Sequence, residues 1–251
     1  MKLSAVVITY NEEKNIERCL QSLQNVADEI LVVDSFSTDR TEEICAKYKV
    51  RFITNPFEGH IQQKNWATGQ ATYDYVLSLD ADEALSSELE ANILELKTAE
   101  EVMDGYWMNR LTSYCGKWMH YIWYPDRKLR LWNRHKGHWG GENPHDKFLL
   151  KDGSSTGLLQ GDLLHHTYHS IAEHVEQINK FSEIVAKEKF KKGKRTSLLG
   201  VFVHAIGKFI SKYFFKRGFM DGTSGLIISV MSFYDTFLKY IKLYMLQKNG
   251  K

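Results

Sequence analysis

The first hundred residues alternate between short apolar runs and stretches of helical spacing, and this rhythm limits the folds open to the chain. Residues 3–9, 29–33, 50–54 and 75–79 are β-branched and apolar, as buried strands are. Between them, residues 13–23 carry Ile16, Leu20 and Leu23 at helical spacing, and residues 61–71 and 86–96 also have helical character. Strands joined by helices predict an α/β fold with a mainly parallel sheet covered on both faces. Ligands bind such sheets beyond the carboxyl ends of the strands. Asp34 follows the second strand, and Asp80-Ala81-Asp82-Glu83 follows the fourth.

Acids at i and i+2 leaving a strand point to the same side, so Asp80 and Asp82 can converge on one ion. Hard oxygen donors suit Mg²⁺ or Mn²⁺, which also bind substrate phosphates. A solvated turn at the strand end is the alternative. In Asp34-Ser35-Phe36-Ser37-Thr38-Asp39, either Thr38 or Asp39 reads as a helix cap, with Glu42 and Glu43 in the first turn. Asp34 ends the strand itself and is open to the N–H or ribose hydroxyl groups of a nucleotide.

These segments, with Val7-Ile8-Thr9-Tyr10-Asn11-Glu12-Glu13 at the start, resemble the family 2 glycosyltransferases. Gln63-Lys64-Asn65, Tyr124-Pro125-Asp126-Arg127-Lys128-Leu129-Arg130-Leu131, Pro144-His145-Asp146 and Leu164-His165-His166-Thr167-Tyr168 are similar to the branch that adds sugars to the lipopolysaccharide inner core. The resemblance covers residues 1–180 well and the remainder loosely. It implies a GT-A nucleotide-diphospho-sugar transferase fold and an inverting single displacement from a nucleotide-sugar donor, expected to be UDP-linked. The implied donor-binding residues are Thr9, Asn11, Glu12, Asp34, Lys64 and Asp80. Asp80, Asp82 and His165 are the implied ligands of a divalent cation, which would stabilise the departing diphosphate.

The acceptor hydroxyl needs a proton acceptor in the transition state. The branch usually carries His-Glu where this chain has His145-Asp146, so Asp146 is the matching base, and Glu142 competes with it. Both stand in or beside Gly140-Gly141-Glu142-Asn143-Pro144, which reads as a loop. His165, His166 and His169 lack the nearby cysteines and the complete tetrahedral set that zinc requires. Arg127, Lys128 and Arg130 form a basic set suited to a phosphorylated or acidic acceptor, or are ordinary solvated strand charges. Trp107, Trp118, Trp123, Trp132 and Trp139 crowd the same region and serve a sugar face or a core equally well.

From Lys187 to Arg217 there are ten Lys or Arg and one acid, Glu188. Leu198, Phe202, Ile206, Phe209 and Tyr213 share one helical face, and Lys208, Lys212 and Lys216 form a second stripe. Such a helix lies on an anionic membrane surface or packs in a bundle. The uncharged run 222–234 is too short to span a bilayer. The expected division is a catalytic domain over 1–195 (nucleotide-sugar half 1–104, acceptor half 105–195) and a helical tail over 196–251. Cys19, Cys45 and Cys115 form no disulfide framework, and the apolar run 5–8 is too short for a leader. Together these predict a cytoplasmic enzyme, peripheral on the inner face of the membrane, acting on a glycolipid or oligosaccharide acceptor. No nucleic-acid-binding module is recognisable. An Asp-x-Asp phosphotransferase would carry its acids after the first strand, where this chain has Thr9-Tyr10-Asn11. A non-catalytic interaction protein on a decayed fold is the other rival.

Overall fold

A computed structural model describes residues 1–142 and 145–249, with Glu142 and His145 described by their backbone alone. The chain divides into two compact units, residues 1–111 with 126–166 and residues 112–125 with 167–251. This division differs from the expected boundary at 195/196. The long helix before it belongs with the tail, and so does an excursion of the chain at 112–125.

The first unit is built on β1 (Leu3–Thr9), β2 (Glu29–Asp34), β3 (Arg51–Thr54) and β4 (Tyr75–Asp80), in the order β3-β2-β1-β4. All three pairings are parallel. Helices α1 (Ile16–Leu23), α2 (Thr41–Cys45), α3 (His60–Gly69) and α4 (Ser87–Thr98) connect or follow these strands. Almost every residue of β1, β2 and β4 is buried, which accounts for their continuous apolar runs. Ile16, Cys19, Leu20 and Leu23 of α1 are fully buried in the same core. Ser86 caps α4 by accepting from the Leu89 amide.

Beyond β4 the sheet turns antiparallel. β8 (Asp126–Asn133) pairs with β4, and β6 (Gly105–Tyr114) pairs with β8. β11 (Thr156–Tyr168) then carries the short β5 (Glu83–Leu85) on its far side, with His165 opposite Glu83. The sheet is thus parallel over its N-terminal half and mixed overall.

Of the stretch 140–144 expected to form a loop, Gly140–Glu142 lie instead in β9 (Gly137–Glu142), which pairs with β10 (His145–Leu150), while Asn143 and Pro144 lie outside the described residues. The glycines of β9 permit close approach. A Cβ on Gly137 would stand 2.3 Å from the Leu149 carbonyl oxygen, and one on Gly140 would stand 2.7 Å from Leu149 Cδ1.

The second unit contains β7 (Lys117–Met119), α5 (Ile171–Lys191), α6 (Leu198–Ile210) and α7 (Gly222–Asn249). α7 packs against both α5 and α6. Asp221, just before α7, accepts the amides of His120, Tyr121 and Ile122 at 2.8–3.2 Å. α6 continues through a π-helical turn, Ser211–Phe215. By length and composition Leu198–Phe215 suffices to cross a membrane, although no run there was expected to, and only 11% of it is buried. Val201 and Ala205 face inward, while Leu199, Phe202, Val203, Ile206, Ile210 and Phe214 are exposed. Phe209 and Tyr213, expected to share a face with Leu198, Phe202 and Ile206, are half-buried where those three are exposed, and they stack on each other.

Candidate active site

The parallel register brings the strand-end acids to one edge. Thr9 pairs with Asp34 across β1 and β2, and Ile8 pairs with Asp80 across β1 and β4. At the β1–β2 side, Asp34 is buried and held by Ser37, whose amide donates to Oδ2 at 2.7 Å and whose hydroxyl donates to Oδ1 at 2.5 Å. Asn11 lies in the left-handed region at φ 54, and its Oδ1 accepts the Thr38 amide at 2.8 Å. The N-cap of α2 is Arg40, which makes no side-chain cap bond, rather than Thr38 or Asp39; Asp39, one residue earlier, accepts the Thr41 amide and hydroxyl and the Glu13 amide. The Thr9 hydroxyl is buried with no hydrogen-bond partner among the described residues. Glu12 accepts from Asn15 at 2.8 Å. Burial, with Asp82, Asp39 and Asp80 nearby, outweighs that bond and pushes its carboxyl up to about 7.

Helix α3 joins this edge to the rest through three consecutive residues. Gln63 donates to the Ser35 hydroxyl at 3.1 Å and accepts from Asn55 at 2.7 Å. Asn65 exchanges two hydrogen bonds with the backbone of Trp139 on β9, at 2.8 and 2.9 Å. Between them the Lys64 side chain, 4% exposed, reaches Asp80 Oδ1 at 2.9 Å and Asp146 Oδ2 at 2.8 Å. Its ammonium lies 4.6 Å from the centre of the Trp139 ring. Asp80 Oδ2 takes Arg130 at 2.9 Å. Burial alone would raise the Asp80 carboxyl, but Lys64 and Arg130 hold it well below the usual carboxylate range.

Glu83, which the sequence reading passed over, is a buried keystone. It accepts the Asp80 amide at 3.0 Å, Arg110 at 3.2 Å and Arg130 at 2.7 Å. Burial opposes the Arg130 charge, but Glu83 and Asp80 reverse that effect and keep the guanidinium protonated. Arg130 was grouped with Arg127 as acceptor-binding. Three residues along a strand turn a side chain to the opposite face. Arg127 is accordingly exposed, whereas Arg130 is buried against Asp80.

Asp82 Oδ2 meets His165 Nε2 at 3.2 Å, and the Asp82 carbonyl accepts the His166 amide. Among the described residues no three His, Cys, Asp or Glu side chains gather as a ready-made metal cage. Mg²⁺ and Mn²⁺ sites often use one or two carboxylates and take their remaining ligands from water and substrate phosphates. Asp82, with His165 beside it and Asp80 two residues back, fits that kind of cation. Asp146 lies on β10 opposite Gly141. The Glu142 side chain lies outside the described residues. Trp132, Trp139 and Phe148 pack together in the core, so these aromatics are structural.

A model of the family described as Glycosyl transferase family 2 matches residues 4–151, more than half of the chain. The chain belongs to that family. This family 2 glycosyltransferase is 33% identical to an uncharacterized glycosyltransferase of Rickettsia typhi, over 96% of this chain and 86% of the relative. It is 29% identical to the lipopolysaccharide core biosynthesis glycosyltransferase LpsC of Rhizobium meliloti, over 97% of this chain and 92% of that one. Among solved structures, it resembles a mannosyltransferase of Pyrobaculum calidifontis, which was solved in complex with GDP-Man and Mn²⁺. The TM-score is 0.50 at 15% identity, covering 94% of this chain and 87% of that one. That likeness is one of fold. The family 2 transferase thus has a GT-A fold.

Proposed function

We propose that this glycosyltransferase transfers a hexose from a UDP-sugar, with inversion, to a hydroxyl of a lipopolysaccharide-core or related glycolipid acceptor. The reading rests on one observation: Lys64 ties Asp80, of the strand-end acid pair, to Asp146. A single displacement needs positive charge where the diphosphate leaves and a carboxylate where the hydroxyl loses its proton. Lys64 and Arg130 supply the first at the Asp80 end, and Asp146 supplies the second. Lys64 occupies Oδ2 of Asp146, so Oδ1 is the oxygen assigned to take the acceptor proton. Thr9, Asn11, Glu12 and Asp34 are assigned to the donor nucleotide. Exposed Arg127 is assigned to acidic groups of the acceptor, while buried Arg130 serves the donor side.

Asp82 and His165, with Asp80, are the residues assigned to a divalent cation. When bound, the cation would act as a Lewis acid on the leaving diphosphate. LpsC, a relative along most of the chain, supports the choice of acceptor class.

The exposed apolar face of α6 and the lysines beside it support docking on the anionic cytoplasmic leaflet. Lys208 and Lys212 lie within Leu198–Phe215, and burying their charges in a bilayer centre is costly. That cost favours lying in the interface over crossing it.

Thermal melting with UDP-, GDP- and dTDP-sugars, with and without Mn²⁺ or Mg²⁺, tests the donor, because a ligand bound to the native state raises Tm. A UDP-sugar with cation should give the largest rise. Asp82→Ala should lose the cation-dependent part of the rise and all transfer while keeping its own cooperative melt. Normal turnover by Asp82→Ala in EDTA would overturn the metal assignment.

A further inference from the structure

The helical unit contains a cleft of about 460 Å³, lined by α5, α6 and α7 and unrelated to the acids described above. Its charged lining is entirely basic: Lys189 from α5, Lys208 from α6 and Lys239 from α7. Lys239 is paired with Asp235 one turn earlier, at 3.0 Å. Among the described residues, neither Lys189 nor Lys208 has a carboxylate partner. The Lys189 ammonium lies 5.2 Å from the centre of the Tyr240 ring, and His204 stacks on that ring at 4.2 Å. Ser211 and Thr236 add hydroxyl donors to the wall. Ammonium groups and hydroxyls around one cleft, with no acid in the lining, suit a phosphate oxyanion. The volume exceeds what a bare phosphate needs.

One residue says which phosphate. Val203 lines the cleft and is also part of the exposed apolar face of α6, at 59% exposure. The basic cleft and the apolar face are therefore continuous, which suits an amphiphile with a phosphate head. We propose that the cleft seats the headgroup of one anionic phospholipid, with its acyl chains lying along Phe202, Val203 and Ile206. The inference rests on the membrane reading above and deepens it, replacing a diffuse charge attraction with a site that holds one lipid.

Gly207 makes the test possible without changing charge. It lines the cleft, and a Cβ added there meets no atom within 4 Å. Leucine also favours helix more than glycine does, so Gly207→Leu should fold while filling the cleft. The full chain is sedimented with phosphatidylcholine vesicles, with and without phosphatidylglycerol. A seated headgroup requires that Gly207→Leu weaken phosphatidylglycerol-dependent binding about tenfold and leave binding to neutral vesicles unchanged or stronger. Lys189→Gln with Lys208→Gln should lose more than the off-cleft pair Lys191→Gln with Lys194→Gln, which removes the same charge.

If Gly207→Leu keeps full preference for phosphatidylglycerol, the cleft is not the lipid site and only diffuse docking stands. Docking itself is judged separately by Phe202→Ser with Ile206→Ser, which should abolish vesicle binding. Failure of the wild-type chain to bind any vesicle would overturn both readings. Calorimetry compares glycerol 3-phosphate with monomeric dihexanoyl-phosphatidylglycerol. Equal affinity for the two would make the cleft a soluble-phosphate site and overturn the lipid assignment.

Discussion

Lys64 stands between two carboxylates in a nearly closed environment, and its removal would leave Asp80 and Asp146 facing a buried space without their shared cation. Breaking a buried pair by deleting one partner is costly because the remaining charge is left uncompensated. The same lysine restrains the proposed base. Asp146→Asn is expected to lower kcat roughly 10²–10⁴-fold with little change in donor affinity, measured with a lipopolysaccharide-core acceptor. Glu142→Gln run in parallel decides between the two acids. If only that change is crippling, the roles exchange. Glu12 offers a test by pH. Its carboxyl ionises near the ordinary 4.5 when unfolded and near 7 when folded. Folding therefore favours the protonated acid. That contribution is complete below 4.5 and is lost as pH rises through about 7. The Tm of Glu12→Gln minus that of the wild type, without donor, should climb across that window and then level off. A flat or falling difference would show that Glu12 is not held protonated.

At the scale of elements, the β9–β10 hairpin carries Asp146, and α3 holds the hairpin through Asn65. Gly137→Ala would drive a Cβ to 2.3 Å from the Leu149 carbonyl and 2.5 Å from Phe148 Cε1. Overpacking of this kind costs about 1–3 kcal/mol. Urea unfolding should therefore show a lower midpoint, with transfer reduced as Asp146 shifts. Gly69→Ala, at the last residue of α3 where a Cβ meets nothing within 4 Å, is the matched control and should leave transfer unchanged and the midpoint unchanged or slightly raised.

The parallel strands were legible because burial on both faces leaves an unbroken apolar run, as in Val6-Val7-Ile8 and Leu31-Val32-Val33. The hairpin was not, because glycines that allow close packing have the same composition as glycines that allow turns. Asp80 and Asp82 stood out by spacing and position after a strand. Glu83 did not, since its burial depends on Arg110 and Arg130 arriving from β6 and β8. Nor did the sequence distance between Arg127 and Arg130 reveal that the strand separates them by face, one exposed and one buried.

On the whole-molecule scale, the chain passes between its two units three times, after residues 111, 125 and 166. The segment joining α5 to α6 is exposed and contains Lys192, Lys194 and Arg195, which makes it a trypsin target. A single cut there should yield two fragments that co-elute on gel filtration and part only in denaturant. The contacts responsible are α7 against α5, where Lys242 donates to Asn179 and Ser182, and Asp221 on the 120–122 amides. Separation without denaturant would mean that the last two helices are independent of the rest. Recombination meets the same constraint. A crossover between relatives at the α5–α6 joint would inherit Asp221 from one parent and its three amides from the other. Helices α6 and α7 and the 112–125 excursion thus form one heritable block, interrupted in sequence, and a viable chimera has to exchange both pieces together.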